Sequence, residues 1–408
     1  MKGEEKSTLR LKSIFMKKIV LIWVYFVVVV INTLSASEPL SKDAKVSILT
    51  CGAGFEFFEA FGHTALRICD SASGMDYVFN WGLFDYNTDN FYVKFAQGRL
   101  PYKLGIDTYK GFVAYYASDG RSMYEQELRL TDKEKNLLYE TIIENYKPEN
   151  RYYYYDFFED NCATRVRDVV QNNLQDRQFH TETMANSPLT FRQLFHPYTN
   201  NYLWWRFGID IALGMRADKQ IPIYKYMYLP DDLMNQFDTT VLIGDNKALA
   251  EPIQLILKEQ CVHSTPTIFT PNMAFWLLLT GAALLTFLEI KRKFYAKIFD
   301  IVLFSAVFVV SILVFYLCFI SDHNATKDNL NLLWANPLLL YVLVRLRRSS
   351  LVVLYILWAC LAVLLFGFRS LPQSFNPAFF PILLTLMLRL TSIVSARRKQ
   401  IAKRNPIH

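Results

Sequence analysis

Hydrophobic and polar positions divide the chain into two regimes. From about residue 39 to 268 they interleave with the short periods of a folded soluble domain, and from Pro271 onward long apolar runs dominate. These runs cover 272–290, 299–320, 330–344, 351–368 and 377–394. A helix needs roughly 20 apolar residues to cross the hydrocarbon core, and the second and fourth runs approach that unaided. The third is short and carries Asn331, Asn336 and Pro337 near its start, so it either dips in from the surface or spans with a polar entrance. One more apolar run, 19–31, follows Lys17-Lys18 and gives way to small and polar residues up to Ser37. That is the pattern of a cleaved signal peptide or, if retained, of an N-terminal anchor.

Within the mixed region, 45–51 alternates like a strand and Gly52-Ala53-Gly54 breaks it. Residues 63–69 alternate again, with His63, Ala65, Arg67 and Cys69 on one face and Thr64, Leu66 and Ile68 on the other. Ser71-Ala72-Ser73-Gly74 marks a turn and 75–81 the returning strand. An antiparallel pair whose turn is centred between 72 and 73 places Asn80 on the face of His63, and a slip of one residue reverses this. Residues 85–98 read as an aromatic, Asn-rich loop, and 123–130 as another strand. Thr131 with Glu134 three positions on is a capping box opening a helix over 131–145. After an aromatic-crowded stretch, 151–158, an amphipathic helix covers 161–174 with Val166, Val169 and Val170 inward. Asp160 or Asn161 caps it, which leaves Cys162 in the first turn. Residues 175–250 read as helices and loops rich in Trp and Tyr.

Charge supports a membrane orientation. If residue 39 onward is exported, the inside loops 291–297, 345–350 and the tail from 397 hold twelve Lys or Arg, against Lys327 and Arg369 outside. This is the bias of cytoplasmic loops, so the net charge of +7 reflects topology rather than nucleic acid, which is not expected as a partner. The chain divides into 1–38 (signal or anchor), 39–270 (exported domain), 271–396 (transmembrane domain) and 397–408 (basic cytoplasmic tail). No zinc spacing or phosphate loop is present, and no cofactor is implied. Six cysteines stand at 51, 69, 162, 261, 318 and 360. The last two read as small hydrophobes in membrane helices, and an exported Cys51–Cys69 disulfide is chemically allowed.

A thiol in the first turn of a helix meets free backbone N–H groups and the positive end of the helix dipole. Both lower its pKa, as does a neighbouring imidazolium, and the N–H groups suit a tetrahedral oxyanion. Cys162 as nucleophile and His63 as its base are therefore the catalytic candidates, with Asn80 able to orient the imidazole. On residue type alone other readings stand beside these. Cys162 also fits a buried small hydrophobe, His63 a structural hydrogen-bonder and Asn80 a residue closing the hairpin. His180, His196 and His263 lie in polar surroundings with no evident partner.

His63 heading a strand, a following strand with a polar residue, and Asn161-Cys162 at a helix start resemble the permuted NlpC/P60 and lecithin-retinol acyltransferase arrangement. A closer resemblance is to the Lnb type of bacterial lipoprotein N-acyltransferase. It rests on Ser47-Ile48-Leu49-Thr50-Cys51-Gly52, Phe61-Gly62-His63-Thr64-Ala65-Leu66-Arg67, Trp81-Gly82-Leu83-Phe84-Asp85, Asn90-Phe91-Tyr92 and Asp160-Asn161-Cys162-Ala163-Thr164-Arg165. It extends to His323 and to Asn329-Leu330-Asn331-Leu332-Leu333-Trp334-Ala335-Asn336-Pro337. The chain departs at Gly52-Ala53-Gly54, where a Pro-Gly turn is expected. The resemblance implies an α+β fold, a permuted papain-like exported domain followed by an all-α transmembrane domain of about five helices. It implies transfer of an acyl chain from a phospholipid, through a thioester on Cys162, to the N-terminal amine of a diacylated lipoprotein. The enzyme would sit in the bacterial inner membrane with a periplasmic catalytic domain. His323, Asn329, Asn331, Trp334, Asn336 and Arg165 are the substrate-binding candidates. Since polar groups at the mouth of a membrane segment need partners, the exported domain is expected to sit over the His323 loop with Cys162 toward the bilayer. The rival readings are a membrane-tethered Cys-His amidase or peptidase acting on peptidoglycan, and a non-enzymatic envelope scaffold.

Overall fold

The computed structural model describes residues 39–56, 59–179, 188–244, 246–260 and 268–404. The apolar run at 19–31, with the signal or anchor read from it, His180, Cys261 and His263 lie outside the described residues. The fold is α+β, a sheet domain followed by apolar helices. Seven strands form one antiparallel sheet: β1 (Lys45–Cys51), β2 (His63–Asp70), β3 (Met75–Leu83), β4 (Pro101–Thr108), β5 (Met123–Glu127), β6 (Tyr152–Tyr154) and, after a short separate pair β7 (Gln178–Phe179) and β8 (Leu242–Ile243), β9 (Gln254–Leu257). Their order is β6-β4-β3-β2-β1-β5-β9.

The alternation read from the sequence places one set of side chains on each face of the sheet. On one face Val46, Ile48, Leu66, Ile68 and Phe79 pack under α3 (Asp132–Tyr146), α4 (Cys162–Asn173) and α7 (Pro230–Thr239) through Leu138, Ile142, Val166, Val170, Leu233 and Phe237. On the other, Leu49, Ala65 and Val78 pack under Phe112 and Tyr116 of α2 (Tyr109–Ser118). Thr131 caps α3 with the reciprocal Glu134 bond that the capping box requires. Strand β4 and helix α2 have no counterpart in the sequence reading. Residues 85–98 are not wholly loop: they contain helix α1 (Phe91–Gln97), entered through Asn90 in the left-handed region and closed by Gly98 at φ 75°, whose N–H caps Lys94 and Phe95 carbonyls. The helix lacks a side-chain N-cap and buries none of its own residues, so of the signals that mark a helix in sequence only the closing glycine is present. A Cys51–Cys69 disulfide is ruled out by register, because Cys51 stands opposite His63 while Cys69 stands opposite Lys45 at the far end of the pair.

Two small helices, α5 (Phe191–Phe195) and α6 (Leu203–Ala212), lead toward the apolar half. There α8 (Pro271–Arg292), α9 (Lys297–Phe319) and α12 (Phe379–Arg404) are long and apolar enough to cross a membrane, and α11 (Leu351–Gly367) is shorter. The 330–344 run is a 3-10 turn, Leu330–Leu333, and a seven-residue helix, α10 (Leu339–Arg345). Pro337 and the Asn336 side chain, which accepts the Leu338 N–H, delay that helix to Leu339. The run still passes from the exported domain to the opposite end of the bundle: Asn331 bonds to α6, and Arg347 lies over Tyr295 beside Glu289. Irregular backbone at that depth is tolerated because Trp334, Ala335, Leu339 and Val342 are buried in protein. At the same end, Arg389 on α12 donates to Asp300 (2.7 Å) and Glu289 (2.9 Å), all three buried, and so ties α8, α9 and α12 together.

Candidate active site

The β2–β3 register pairs Leu66 with Phe79 and Asp70 with Met75, which centres the turn between 72 and 73 and sets Asn80 on the face of His63. His63 Nε2–H donates to Asn80 Oδ1 at 2.5 Å. An imidazole held there turns Nδ1 toward its other partner, the Cys162 thiol, to which His63 is hydrogen-bonded. The β2–β3 ladder ends at Leu66 and Phe79. Beyond it the Thr64 N–H reaches Cys162, and Gly82 faces it, an added Cβ standing at an ordinary contact distance of 3.8 Å from the cysteine Cβ. Gly82 has φ 99°, a conformation open to glycine and strained for other residues.

Asn161 fixes the direction of the thiol-bearing helix. Its Oδ1 accepts from Ala163 and Thr164 N–H (2.9 Å each), and its Nδ2 donates to the Phe157 carbonyl (2.7 Å) and the Tyr228 carbonyl (2.9 Å). Of the first-turn donors this leaves the Cys162 N–H for an oxyanion. Burial by itself would push the Cys162 thiol up, but His63 beside it and the N–H groups of Thr64 and Ala163 outweigh that and hold it below the ordinary thiol range. For His63 burial disfavours the imidazolium, yet the Cys162 thiolate and the bonds to Cys162 and Asn80 raise it above an ordinary histidine. The two shifts favour the same thiolate–imidazolium pair.

Around the pair lies a shell that the sequence did not single out. Tyr155, half-buried beside Cys162, stacks on Tyr102 with ring centres 4.6 Å apart. The buried Arg121 donates to the Gly52 carbonyl (2.9 Å) and to Glu59 (3.1 Å), which holds the loop where a Pro-Gly turn was expected. Tyr155 belongs to the aromatic-crowded stretch, but nothing in its spacing separates it from its neighbours.

The remaining candidates lie elsewhere. Arg165 forms a two-bond pair with Asp160 (2.5 and 2.7 Å) and lies over the Tyr153 ring, bracing the loop before Cys162. Asn329 and Asn331 are buried and close the C-terminus of α6: Asn329 Nδ2 donates to the Ile211 and Ala212 carbonyls, and Asn331 Nδ2 to those of Asp210 and Ile211. Trp334 Nε1–H donates to Asn331 Oδ1. These groups have their partners inside the protein, so they form a joint between the two halves rather than an open substrate pocket. Asn336 is half-buried and closes its own turn. His323 donates from Nε2 to the Phe95 carbonyl (2.9 Å), and its neighbour Asp322 pairs with Arg99 (2.5 Å). The sheet domain therefore rests on this loop through α1. His196 has partners after all, donating to the buried Asp210 (3.0 Å) and accepting from Arg206 (2.8 Å).

Compared with known families, residues 40–197 match the Lnb N-terminal periplasmic domain and residues 263–400 match the Lnb transmembrane domain. No curated protein and no solved structure gives a significant match.

Proposed function

Because the chain carries both Lnb domains in order and so belongs to that family of membrane proteins with an N-terminal periplasmic domain, we propose that it is a lipoprotein N-acyltransferase. The carrying observation is the His63–Cys162 pair with Asn80 behind the imidazole. The Cys162 thiolate attacks an ester carbonyl of a phospholipid, and the Cys162 N–H holds the oxyanion. The imidazolium of His63 protonates the departing lysophospholipid oxygen, leaving an acyl thioester on Cys162 and a neutral His63. The α-amine of a diacylated lipoprotein then attacks the thioester. His63 takes a proton from that amine, the C–S bond breaks, and an amide and the thiolate result. Metal and cofactor have no part in this scheme. Both substrates keep their acyl chains in the bilayer, which suits a catalytic domain resting on apolar helices. The basic loops and tail would face the cytoplasm.

The test is intact-mass analysis of the full-length protein incubated with phospholipid vesicles. An acyl mass added at Cys162, discharged by a diacylated lipopeptide and absent from Cys162→Ala, is expected. Loss of muropeptide cross-links with no acyl adduct would instead favour the peptidoglycan amidase.

A further inference from the structure

Helix α1 presents an apolar surface left exposed among the described residues. Tyr92 is 81 % exposed, Val93 55 % and Phe95 53 %, and Tyr86 in the loop before it is 64 % exposed. Contiguous apolar exposure of this kind marks a contact surface. The helix is also fastened to the end of a membrane-crossing segment. The Asp322 N–H donates to the Gln97 carbonyl at 2.8 Å, His323 donates to the Phe95 carbonyl, and Arg99 pairs with Asp322. Gly98 approaches so closely that a Cβ there would lie 3.2 Å from the His323 nitrogen. Asp322 comes three residues after Phe319, the last residue of α9, whose apolar end is itself exposed. The exposed face of α1 therefore lies level with the end of an apolar span, where aromatic side chains partition into the membrane interface.

From this ledge an unbroken run of rings leads inward. Tyr86 and Phe91 have ring centres 5.1 Å apart, Phe91 and Phe84 5.8 Å, Phe84 and Tyr102 5.2 Å, and Tyr102 and Tyr155 4.6 Å. Tyr155 meets the same point over Gly82 that faces Cys162.

We propose that α1 and the Tyr86 loop dip into the bilayer leaflet facing the sheet domain, and that the run from Tyr86 to Tyr155 is the lane by which a phospholipid acyl chain reaches Cys162. The chemistry at the inner end of the lane rests on the acyl-transfer reading, whereas the membrane contact does not. An acyl chain fits because each methylene moving along ring faces keeps its burial, so the chain need not cross water.

Two measurements on the full-length protein in phosphatidylethanolamine and phosphatidylglycerol nanodiscs test it. The first places the photocrosslinker p-benzoylphenylalanine at Tyr92 or, as a control, at Tyr77, exposed toward the opposite end of β3. Phospholipid adducts at 92 and none at 77 are expected. Adducts to protein alone, or equal lipid labelling at both positions, overturn the membrane contact. The second compares Cys162 acylation from nanodisc phospholipid with acylation from water-soluble p-nitrophenyl butyrate, in wild type and in the Tyr86→Ser, Tyr92→Ser, Phe95→Ser triple variant. The phospholipid-to-butyrate rate ratio should fall about tenfold or more, as when uniform binding to one substrate is removed. An unchanged ratio overturns the lane, including when both rates fall together. If wild type takes an acyl group from neither donor, the acyl-transfer reading fails, and the crosslink at 92 still decides the membrane contact.

Discussion

At the scale of single residues the chemistry depends on how three side chains set one another's protonation. The Cys162 pKa is lowered and the His63 pKa raised, and both shifts favour the thiolate–imidazolium pair over the neutral one. Alkylation of Cys162 by iodoacetamide should therefore begin at a more acidic pH than for a free cysteine, and His63→Ala should move that onset upward. The alkaline limb follows from the opposite sign: as pH rises through the raised His63 value the imidazolium is lost, and with it protonation of the leaving group. Coincident alkylation curves for wild type and His63→Ala would show that the imidazole does not charge the thiol. Asn80 acts through His63 by accepting its Nε2–H. Asn80→Ala should lower kcat on the order of a hundredfold, the low end of what a positioned acid–base group contributes. KM should hardly move, and the acidic onset should shift toward that of His63→Ala. A merely structural Asn80 would leave that onset where it is.

At the scale of elements, helix ends decide where the site is. Asn161 caps α4 and binds the nearby Phe157 carbonyl and the distant Tyr228 carbonyl. Losing an N-cap costs about 0.5–2 kcal/mol, and Asn161→Ala should lower the unfolding temperature while also slowing alkylation of Cys162. The other decisive end is the C-terminus of α6, where Asn329 and Asn331 satisfy carbonyls that a helix leaves unpaired. They reach across from the apolar half, while Phe207 and Ile211 of α6 pack into its core beside Trp334 and Phe379. Asn331→Leu keeps the bulk but strands the Asp210 carbonyl and the Trp334 N–H. Each buried group left unsatisfied costs about 1–3 kcal/mol. Thermal unfolding in detergent should shift down accordingly, while the pH dependence of Cys162 alkylation in the folded protein stays as in wild type. A shifted alkylation curve with unchanged melting would mean that Asn331 serves the site rather than the joint.

At the scale of the whole molecule, a core in the sheet domain and a core in the helical bundle are joined by α6 and by the loop carrying His323. The far end of the bundle is closed by Arg389 between Asp300 and Glu289. Removing one partner of a buried charge cluster costs about 3–5 kcal/mol because the other charges are left uncompensated. Arg389→Met should therefore reduce the amount of folded protein extracted from membranes and its melting temperature. Arg389→Met with Asp300→Asn and Glu289→Gln should recover much of the loss. A triple variant no more stable than Arg389→Met would remove the charge argument.

Local pattern alone determined much of this protein. Alternation specified β1 to β3, the Thr131 box opened α3, a cap at Asp160 or Asn161 opened α4, and long apolar runs marked the second half, because each of these signals acts within a few residues. Asn80 came onto the face of His63 in the sequence reading only if the turn was centred between 72 and 73, and the ladder has that register. Tertiary structure decided the rest. It placed a helix in 85–98 without a side-chain N-cap or a buried face, held there by the His323 loop more than two hundred residues away. It turned Asn329, Asn331 and Trp334 inward, because the α6 carbonyls that they satisfy lie more than a hundred residues upstream. It also set Cys162 beside His63 and Thr64, a contact made where two paired strands part and a helix end enters. No local period encodes such a contact, since its partners are adjacent in space and distant along the chain.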